Sequence, residues 1–298
     1  MSTTAVGITL DLDGPLPVAR RYSLLATPGV VVEDNRDAEG EPRWMNGVNV
    51  VGYSEGTPET WEPCSTGTFR TKEDGEGETF SRFDPISVYF PNKCSTIGLS
   101  NARVQRMMER TELVLEATLA TGVERALAEG VPGSNNAFLG DTDFVALASG
   151  AAVAPRVGLS YLENAIAQLT GRQGVIHATP ATVTSWGFGD ELNPSNDPIT
   201  EAPPALGLRT SNGTPVISGA GYIGAHPQGS GGLAGPGDTT EWAFASGPVE
   251  VRLGQGPEME VHEVVDRQIN QTIIRAERFV LYDWDRALQV GVLIDWSL

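Results

Sequence analysis

The feature of this sequence that most constrains its fold is an uninterrupted amphipathic stretch at residues 101–129. Its apolar residues recur at spacings of four, seven, four and seven, which places them on one face of a helix. These residues are Val104, Met108, Leu115, Leu119 and Ala126. Ser100 or Asn101 can cap the first turn, and Gly130 followed by Pro132 ends the helix. At a rise of about 1.5 Å per residue the helix is about 43 Å long, more than a compact small domain needs. We therefore predict that it runs along a surface as the backbone element of the fold.

The rest of the sequence predicts short strands and turns with few further helices. The chain of 298 residues contains 35 glycines and 20 prolines, together with Thr- and Val-rich runs. A second helix is predicted at residues 157–170, followed by a buried strand in GVIHA. After residue 246 the sequence alternates with period two. One face of the final strand carries Leu288, Val290, Val292 and Ile294. This pattern predicts an α+β fold with the helices early and the last sheet strands late.

Residues 58–92 have the composition of an extended hairpin. The stretches TGTFRTK and ETFSRFD flank an acidic, glycine-containing turn at residues 73–77, and glycine permits the backbone of a tight turn. Each arm carries only one or two large apolar residues, such as Phe69 and Phe80. An isolated ribbon of this kind is marginal in water. It either packs on its parent domain or is completed by another subunit.

Charge and cysteine content exclude some classes of protein. The formal net charge of -18 argues against binding nucleic acid through its phosphates, because an acidic surface repels DNA. Two cysteines, Cys64 and Cys94, are too few for a disulfide framework; they could pair, but we expect free thiols in a protein made in the cytosol. The opening MSTTAVGITLDLDG does not have the pattern of a signal peptide, and we expect no membrane span.

We predict no catalytic, cofactor-binding or metal site. The three histidines, His177, His226 and His262, have no metal-ligand spacing, and His177 is expected to be a partly buried residue at a strand end. The glycine-rich stretch GSGGLAGPG lacks the Lys-Ser/Thr of a phosphate loop, and there is no Gly-x-Ser-x-Gly elbow with a downstream His. The acidic turn does not have the spacing of an EF-hand, so we interpret it as a solvated turn. The N-terminal arm, the ribbon and the long helix all need partners that a symmetric assembly would supply.

The order of these elements resembles that of the Hong Kong 97 phage-type major capsid proteins. The resemblance is carried by NQTIIRAERFVLYDWDRALQVGVLIDW near the C-terminus, by GVIHATPATVTSWG and by SNGTPVISGAGYIG. In that family a strand with a central Arg or Glu precedes an acidic turn and a final apolar strand. The resemblance implies the following division of the chain: N-terminal arm 1–45, strand and extended hairpin loop 46–98, spine helix and first part of the peripheral domain 99–171, axial domain 172–245, and return strands of the peripheral domain 246–298.

The implied function is that of a shell protein and not of an enzyme. Copies of the chain would form pentamers and hexamers of the icosahedral head of a tailed double-stranded DNA phage. A separate scaffolding protein and a portal are expected partners, and the packaged DNA is enclosed without specific binding. The protein would be synthesised in the host cytoplasm and reside in the virion. Some relatives cross-link a hairpin lysine to an asparagine of a neighbouring subunit. Here Lys72 and Asn270 would be the candidates for such a cross-link, but we predict that the shell closes without covalent bonds.

The resemblance also indicates which residues contact neighbouring subunits. In the hairpin loop these are Phe69, Arg70, Lys72, Glu73, Asp74, Glu76, Glu78, Phe80 and Arg82, and in the spine helix Arg103, Arg106 and Arg110. Three other functions remain open on sequence alone. A nanocompartment shell has the same fold but encloses a protein cargo, and a head accessory or tail structural protein is also β-rich. A hydrolase with paired acids would instead have a deep acidic cleft.

Overall fold

The computed structural model of the chain describes 12 segments of the sequence. They are residues 22–27, 30–34, 43–51, 80–95, 101–134, 136–169, 174–187, 192–194, 207–228, 233–254, 258–264 and 271–298. The helices are α1 (Asn101–Glu129), α2 (Pro155–Leu169) and α3 (Pro180–Gly187). The strands are β1 (Val31–Asp34), β2 (Val48–Val51), β3 (Phe80–Phe83), β4 (Ile86–Ser95), β5 (Val145–Ala146), β6 (Val175–Ala178), β7 (Leu192–Pro194), β8 (Leu208–Thr210), β9 (Pro215–Ser218), β10 (Thr240–Ser246), β11 (Val249–Leu253), β12 (Glu258–Val264), β13 (Gln271–Trp284) and β14 (Gln289–Asp295).

The prediction of a long helix at residues 101–129 is confirmed by α1. The helix ends where Gly130 adopts a φ of +78° and donates its N–H to Ala126 O, a left-handed stop that favours glycine. The second half of α1 is embedded, with Leu119, Val123 and Leu127 at 3% exposure or less. Its first half is more exposed, and Leu113 is 47% exposed. Exposure therefore increases toward the start of the helix.

One face of a five-stranded sheet lies beneath α1. Its strands run in the order β1-β11-β13-β12, with β4 on the other side of β13. Along β13 the residues Ile274, Ala276, Arg278 and Val280 are buried, while the residues between them are half-buried. Tyr282 shares the buried face and donates its hydroxyl to Ala126 O of α1 at 3.1 Å.

A seven-stranded sheet forms the second half of the molecule, in the order β5-β14-β10-β6-β9-β8-β7. One face is covered by α2 and α3, which pack Leu162, Ile166 and Trp186 against it. Trp242 and Phe244 of β10 point the other way, into the core that also contains the second half of α1. Strand β10 is thus buried on both faces, as a strand at the centre of a covered sheet must be.

The strands after residue 246 are divided between the two sheets. The predicted strands after that residue and the turn before the last one are present, but β14 pairs with β10 in the seven-stranded sheet while β11, β12 and β13 lie in the five-stranded sheet. Helix α2 also packs on the seven-stranded sheet. Alternation shows which residues share a face, but it does not specify the neighbouring strand. Leu293 is buried on the face of β14 opposite the predicted apolar face, so both faces of the strand pack against other parts of the chain.

The extended hairpin is described only at its base. Strand β3 pairs antiparallel with β2, and the predicted turn at residues 73–77 and the arm TGTFRTK lie outside the described residues. The stretch PVISGAGYIG forms β9 followed by a 3-10 turn at Ala220–Tyr222. Helix α2 begins two residues before the predicted start. Among the residues described, none of the helices is both long and apolar enough to cross a membrane.

Three consecutive residues after β5 are left-handed. The φ angles are +49° at Ala148, +55° at Ser149 and +76° at Gly150. For the first two this conformation is strained, because the Cβ of an L-residue crowds the following carbonyl oxygen. The turn carries the chain away from β14 until Val153 donates its N–H to Leu293 O at 3.0 Å.

We predict that Ala148→Gly raises the free energy of unfolding by about 1 kcal/mol, because glycine removes the left-handed strain. The matched control is Ala151→Gly, where φ is an ordinary -73° and glycine should instead destabilise by about 0.5 kcal/mol. Urea denaturation of both variants measures the difference. If both substitutions lowered the free energy of unfolding by the same amount, the backbone at residue 148 would not be strained.

Candidate functional site

The predicted contact residues fall into three groups. Phe69, Arg70, Lys72, Glu73, Asp74, Glu76 and Glu78 lie outside the described residues, as do Cys64 and Asn270. Phe80 pairs through its backbone with Val51, and Arg82 is exposed on β3. On α1, Arg106 is exposed and Arg110 is half-buried, while Arg103 is described by its backbone alone.

The base of the hairpin is held by one aromatic and one polar anchor. Phe83 is fully buried and packs on Trp284, with ring centroids 5.0 Å apart. Asn136 binds the backbone of Asp84 from both sides: its Oδ1 accepts the Asp84 N–H at 2.8 Å, and its Nδ2 donates to Asp84 O at 2.6 Å. This side chain satisfies both backbone groups of the residue as a neighbouring strand would.

Arg82 completes this base from the solvent side. Its guanidinium forms an ion pair with Asp84 at 2.9 Å and donates to Asn46 O at 3.1 Å. Gly47 lies between them with a φ of +88°, and a Cβ there would be 2.5 Å from the Asp84 carboxylate. The hairpin therefore leaves the body from a fixed position.

A buried carboxylate on α1 joins three segments of the chain. Glu124 is 0% exposed; its Oε1 accepts the Leu24 N–H and its Oε2 accepts the Gly221 N–H, each at 3.0 Å. Gly221 lies so close to the helix that a Cβ would be 2.5 Å from Thr121 O and from Arg125 N. Only glycine permits this approach of a loop to the helix backbone. The N-terminal segment at residues 22–27, α1 and the turn after β9 are thereby fixed together.

A second buried network connects this junction to the seven-stranded sheet. His177 contacts the Tyr222 hydroxyl through Nδ1 at 2.9 Å and Ser246 Oγ through Nε2 at 2.8 Å. Because Ser246 Oγ donates to Gly247 O at 2.9 Å, it accepts from His177 Nε2–H, so Nδ1 accepts from the tyrosine. The histidine is fully buried, where a partly buried strand end was expected, because β6 lies inside the sheet.

Burial determines the protonation of this network. It lowers the pKa of His177 to about 3, so the imidazole is neutral at physiological pH. Burial, and then the charge of Glu124, raise the pKa of Tyr222 well above its ordinary range. Ser246 and His177 have the spacing of a nucleophile and its base, but both are 0% exposed, so no substrate reaches them.

The turn between β13 and β14 is held in place by ion pairs and hydrogen bonds to the loop that follows α1. Arg286 bonds to Asp141 at 3.0 Å and to Asp143 at 2.5 Å, and Gln289 donates to Phe138 O at 2.9 Å and also to Asp141. The loop after α1 is thus fixed to the connection between the two sheets. Within the described segments no group of three or more His, Cys, Asp or Glu side chains is placed to hold a metal ion.

We predict that Glu124→Gln lowers the free energy of unfolding by about 2 kcal/mol. The Nε2 group of glutamine donates hydrogen bonds and does not accept them, so one of the two buried backbone N–H groups loses its acceptor. Chemical denaturation measures the loss. Glu129→Gln, at an exposed site on the same helix, is the matched control and should change stability by less than about 0.5 kcal/mol. Equal effects in the two variants would contradict the role of Glu124.

His177 should make the protein less stable in acid. The unfolded histidine takes up a proton below its ordinary pKa of 6.5, whereas the folded one stays neutral until about 3. Between these values the unfolded state binds more protons, so stability falls as pH falls, by up to about 1.4 kcal/mol per pH unit from this group. His177→Gln should be less stable than the parent protein at pH 7. The difference in the free energy of unfolding between the two proteins should become smaller as the pH falls from 6.5 to 4. His226→Gln, at an exposed site, should keep the slope of the parent protein. If the free energy of unfolding changed with pH in the same way in the parent protein and in His177→Gln, the buried and neutral state of His177 would be contradicted.

Comparison by sequence finds no match: no protein-family model and no curated protein matches the chain. Comparison by structure finds phage capsids. The cyanophage Pam1 capsid asymmetric unit contains a similar chain, with a TM-score of 0.51 and 9% identity over 100% of this chain and 98% of that one. The capsid of Ralstonia phage GP4 gives a TM-score of 0.50 and 10% identity over 98% and 96%. A structure of the phage G gp27 major capsid proteins and gp26 decoration proteins gives 0.50 and 12% over 99% of each chain.

These similarities extend over nearly the whole chain and over nearly the whole of each phage protein, so they concern the complete arrangement of helix and sheets. The chain therefore has the fold of tailed-bacteriophage capsid proteins, of the Hong Kong 97 phage type.

Proposed function

We propose that this chain is the major capsid protein of a tailed bacteriophage and that copies of it form the icosahedral head shell around double-stranded DNA. The observation that carries the proposal is the match over 98% or more of the chain to proteins of phage capsids. A domain shared with many kinds of protein would match only in part.

The first half of α1 is one proposed contact between copies. Val104, Met107 and Met108 are only half-buried there, and Leu113 is exposed, whereas the second half of the helix is in the core. Apolar side chains left half-exposed on a helix favour cover by a neighbouring subunit. We therefore assign Arg103, Arg106 and Arg110 to this contact.

The hairpin loop of a neighbour supplies the complementary charge in this proposal. Glu73, Asp74, Glu76 and Glu78 are close together in its sequence, between Arg70, Lys72 and Arg82. Copies with a net charge of -18 repel each other unless cations meet acids at the contact. Such pairs set register and are weakened by salt. The anchored base at Phe83 and Asn136 would hold the loop at the angle at which it meets the neighbour.

The two sheets suggest which parts form the two domains. We assign the five-stranded sheet with α1 to the peripheral domain and the seven-stranded sheet with α2 and α3 to the axial domain, which meets its copies around the five- and six-fold axes. Residues 1–45 remain the proposed N-terminal arm. A separate scaffolding protein and a portal are proposed partners, and closure is non-covalent. The acidic balance suits a wall that does not bind the packaged DNA.

A nanocompartment shell remains the second candidate because it has the same fold. The similar structures named above are phage capsids, which favours the phage assignment. The proposed location is accordingly the virion, after synthesis in the host cytoplasm.

The shell proposal predicts assembly on expression. The chain, produced with the products of its neighbouring genes, should form round shells or free pentamers and hexamers in negative-stain electron micrographs. Enclosed DNA would identify a phage head, and enclosed protein a nanocompartment. A folded monomer that never assembles with its scaffold present would refute the proposal.

A charge reversal tests the proposed contact on α1. Arg106→Glu should lower the yield of shells by about tenfold, because it places an acid against the acidic hairpin of the neighbour. Its circular dichroism should be unchanged, since Arg106 is exposed. Arg125→Glu, also exposed on α1 but in its second half, is the matched control and should assemble normally. Normal assembly of Arg106→Glu would remove this arginine from the contact.

A further inference from the structure

We propose that residues 22–34, the strap, set the angle between the two sheets, and that release of the first turn of the strap lets the sheets rotate about the place where the chain crosses between them. The use of this motion rests on the proposed function, because copies of one chain in pentamers and in hexamers meet their neighbours at different angles. A rigid subunit fits one of these rings, whereas a subunit with an adjustable angle fits both.

The strap is attached to both sheets. At its start, Tyr22 O accepts the N–H of Ser218, the last residue of β9 in the seven-stranded sheet, at 2.8 Å. At its end, the four residues of β1 pair in parallel with β11 of the five-stranded sheet. One short stretch of chain thereby joins a strand of one sheet to a strand of the other. A change in the angle between the sheets must therefore stretch the strap or release one of its ends.

The first turn, at residues 22–27, is the end that can release. It bonds to itself, since the Ala26 N–H donates to Ser23 O at 3.0 Å and Thr27 Oγ1 donates to the same oxygen at 2.8 Å. Besides the bond to β9, the turn is held by the fully buried side chain of Leu24 and by the Leu24 N–H, which donates to Glu124 Oε1. Strand β1, in contrast, is paired along its whole length. The turn can therefore leave its place as a unit while β1 stays in the sheet.

Glu124 connects the docked turn to the junction between the sheets. Its carboxylate accepts the N–H groups of Leu24 and of Gly221, each at 3.0 Å, and the Tyr222 hydroxyl that follows is hydrogen-bonded to β6. The packing around the carboxylate is tight: a Cβ on Gly219 would be 2.6 Å from the Glu124 carboxyl carbon and 2.5 Å from the Tyr222 ring. When the turn leaves, water reaches Oε1 in place of the Leu24 N–H, so the carboxylate keeps a donor in the released state.

The place where the chain crosses between the sheets has the form of a hinge. The connection from β10 to β11 contains Gly247, and the connection from β13 to β14 contains Asp285. The two connections touch, because a Cβ on Gly247 would be 3.0 Å from both Asp285 Cβ and Asp285 O. Rotation about two adjacent connections requires backbone changes in a few residues only, as in hinge motions of domains. Gly247 has no side chain that would oppose such changes.

A distance between the sheets tests the strap in the unassembled subunit. Spin labels are placed at Tyr89→Cys on β4 and Val145→Cys on β5, in a chain whose Cys64 and Cys94 are replaced by Ser. The two labelled positions are 59% and 55% exposed and belong to different sheets. Pulsed electron paramagnetic resonance should give one narrow distance in this labelled parent.

Weakening the docked turn should change that distance. Leu24→Ala should give a broader distribution or a second distance, because the turn loses its buried side chain. Leu162→Ala is the matched control: this leucine is equally buried but packs in the cluster beneath α2, so the variant should keep the parent distance. A folded Leu24→Ala variant with the parent distance would overturn the strap, and so would the same broadening in Leu162→Ala.

A reversible lock tests the use of the strap in the shell. In Tyr22→Cys/Ser218→Cys, again without the native cysteines, the two thiols lie on either side of the backbone hydrogen bond that joins the strap to β9, so oxidation should link them within one chain. The oxidised protein should form about tenfold fewer closed shells, because the docked state fits one kind of ring, and a reductant should restore the yield of the parent. Tyr22→Cys alone is the control and should assemble equally with and without oxidant.

The outcomes separate this inference from the proposed function. If the parent chain never assembles, the proposed function is refuted, and the distance measurement still tests the strap. If the parent forms shells and the locked variant forms as many when oxidised as when reduced, the strap has no role in assembly and the inference is refuted alone. A disulfide that joins two chains on a non-reducing gel would also overturn it, because the turn would then dock on another copy.

Discussion

The packing of α1 against the rest of the chain is the constraint on which the other elements depend. The second half of the helix lies on the five-stranded sheet through Tyr282 and shares a core with Trp242 and Phe244 of the seven-stranded sheet. Glu124 projects from the same half and binds two backbone N–H groups from distant parts of the chain. A buried carboxylate is stable only when such donors reach it, so the segments must converge on the helix for it to be buried at all.

The connections between the two sheets reinforce this arrangement. The chain passes from the seven-stranded sheet to the five-stranded one between β10 and β11, and returns between β13 and β14. The two crossings touch, since a Cβ on Gly247 would lie 3.0 Å from Asp285 Cβ. Arg286 and Gln289 then bond to the loop that follows α1. The two sheets are thus joined by two adjacent chain crossings, which favours cooperative folding of the two.

Local elements could be predicted from the sequence to a greater degree than their neighbours in space. The bounds of α1 were predictable because its apolar spacing, its capping residues and Gly130 all indicate the same helix. The faces of β14 were predictable because strand side chains alternate with period two. The sheet to which β14 belongs was not, because Val290 and Leu293 would find apolar cover in either sheet.

The polar junctions could not be predicted, because their partners are far apart in the sequence. Glu124 is one of 38 acidic residues, and no local pattern distinguishes it from the exposed Glu129 on the same helix. His177 was expected to be partly buried at a strand end, and it is fully enclosed because its strand β6 lies between β10 and β9. Gly221 provided a weak signal, since a glycine in an apolar stretch can mark a close backbone approach.

The anchors have a common physical purpose in a chain with extended segments. A hairpin arm or N-terminal segment with few large apolar residues cannot fix its own position by burying surface. Here each attachment combines one buried apolar side chain with a polar side chain that binds the backbone: Phe83 with Asn136 at Asp84, and Leu24 with Glu124. Hydrogen bonds to the backbone specify direction, which apolar contact alone does not. Subunits whose projecting segments start in a defined direction can repeat the same contact many times, and a closed shell requires that repetition.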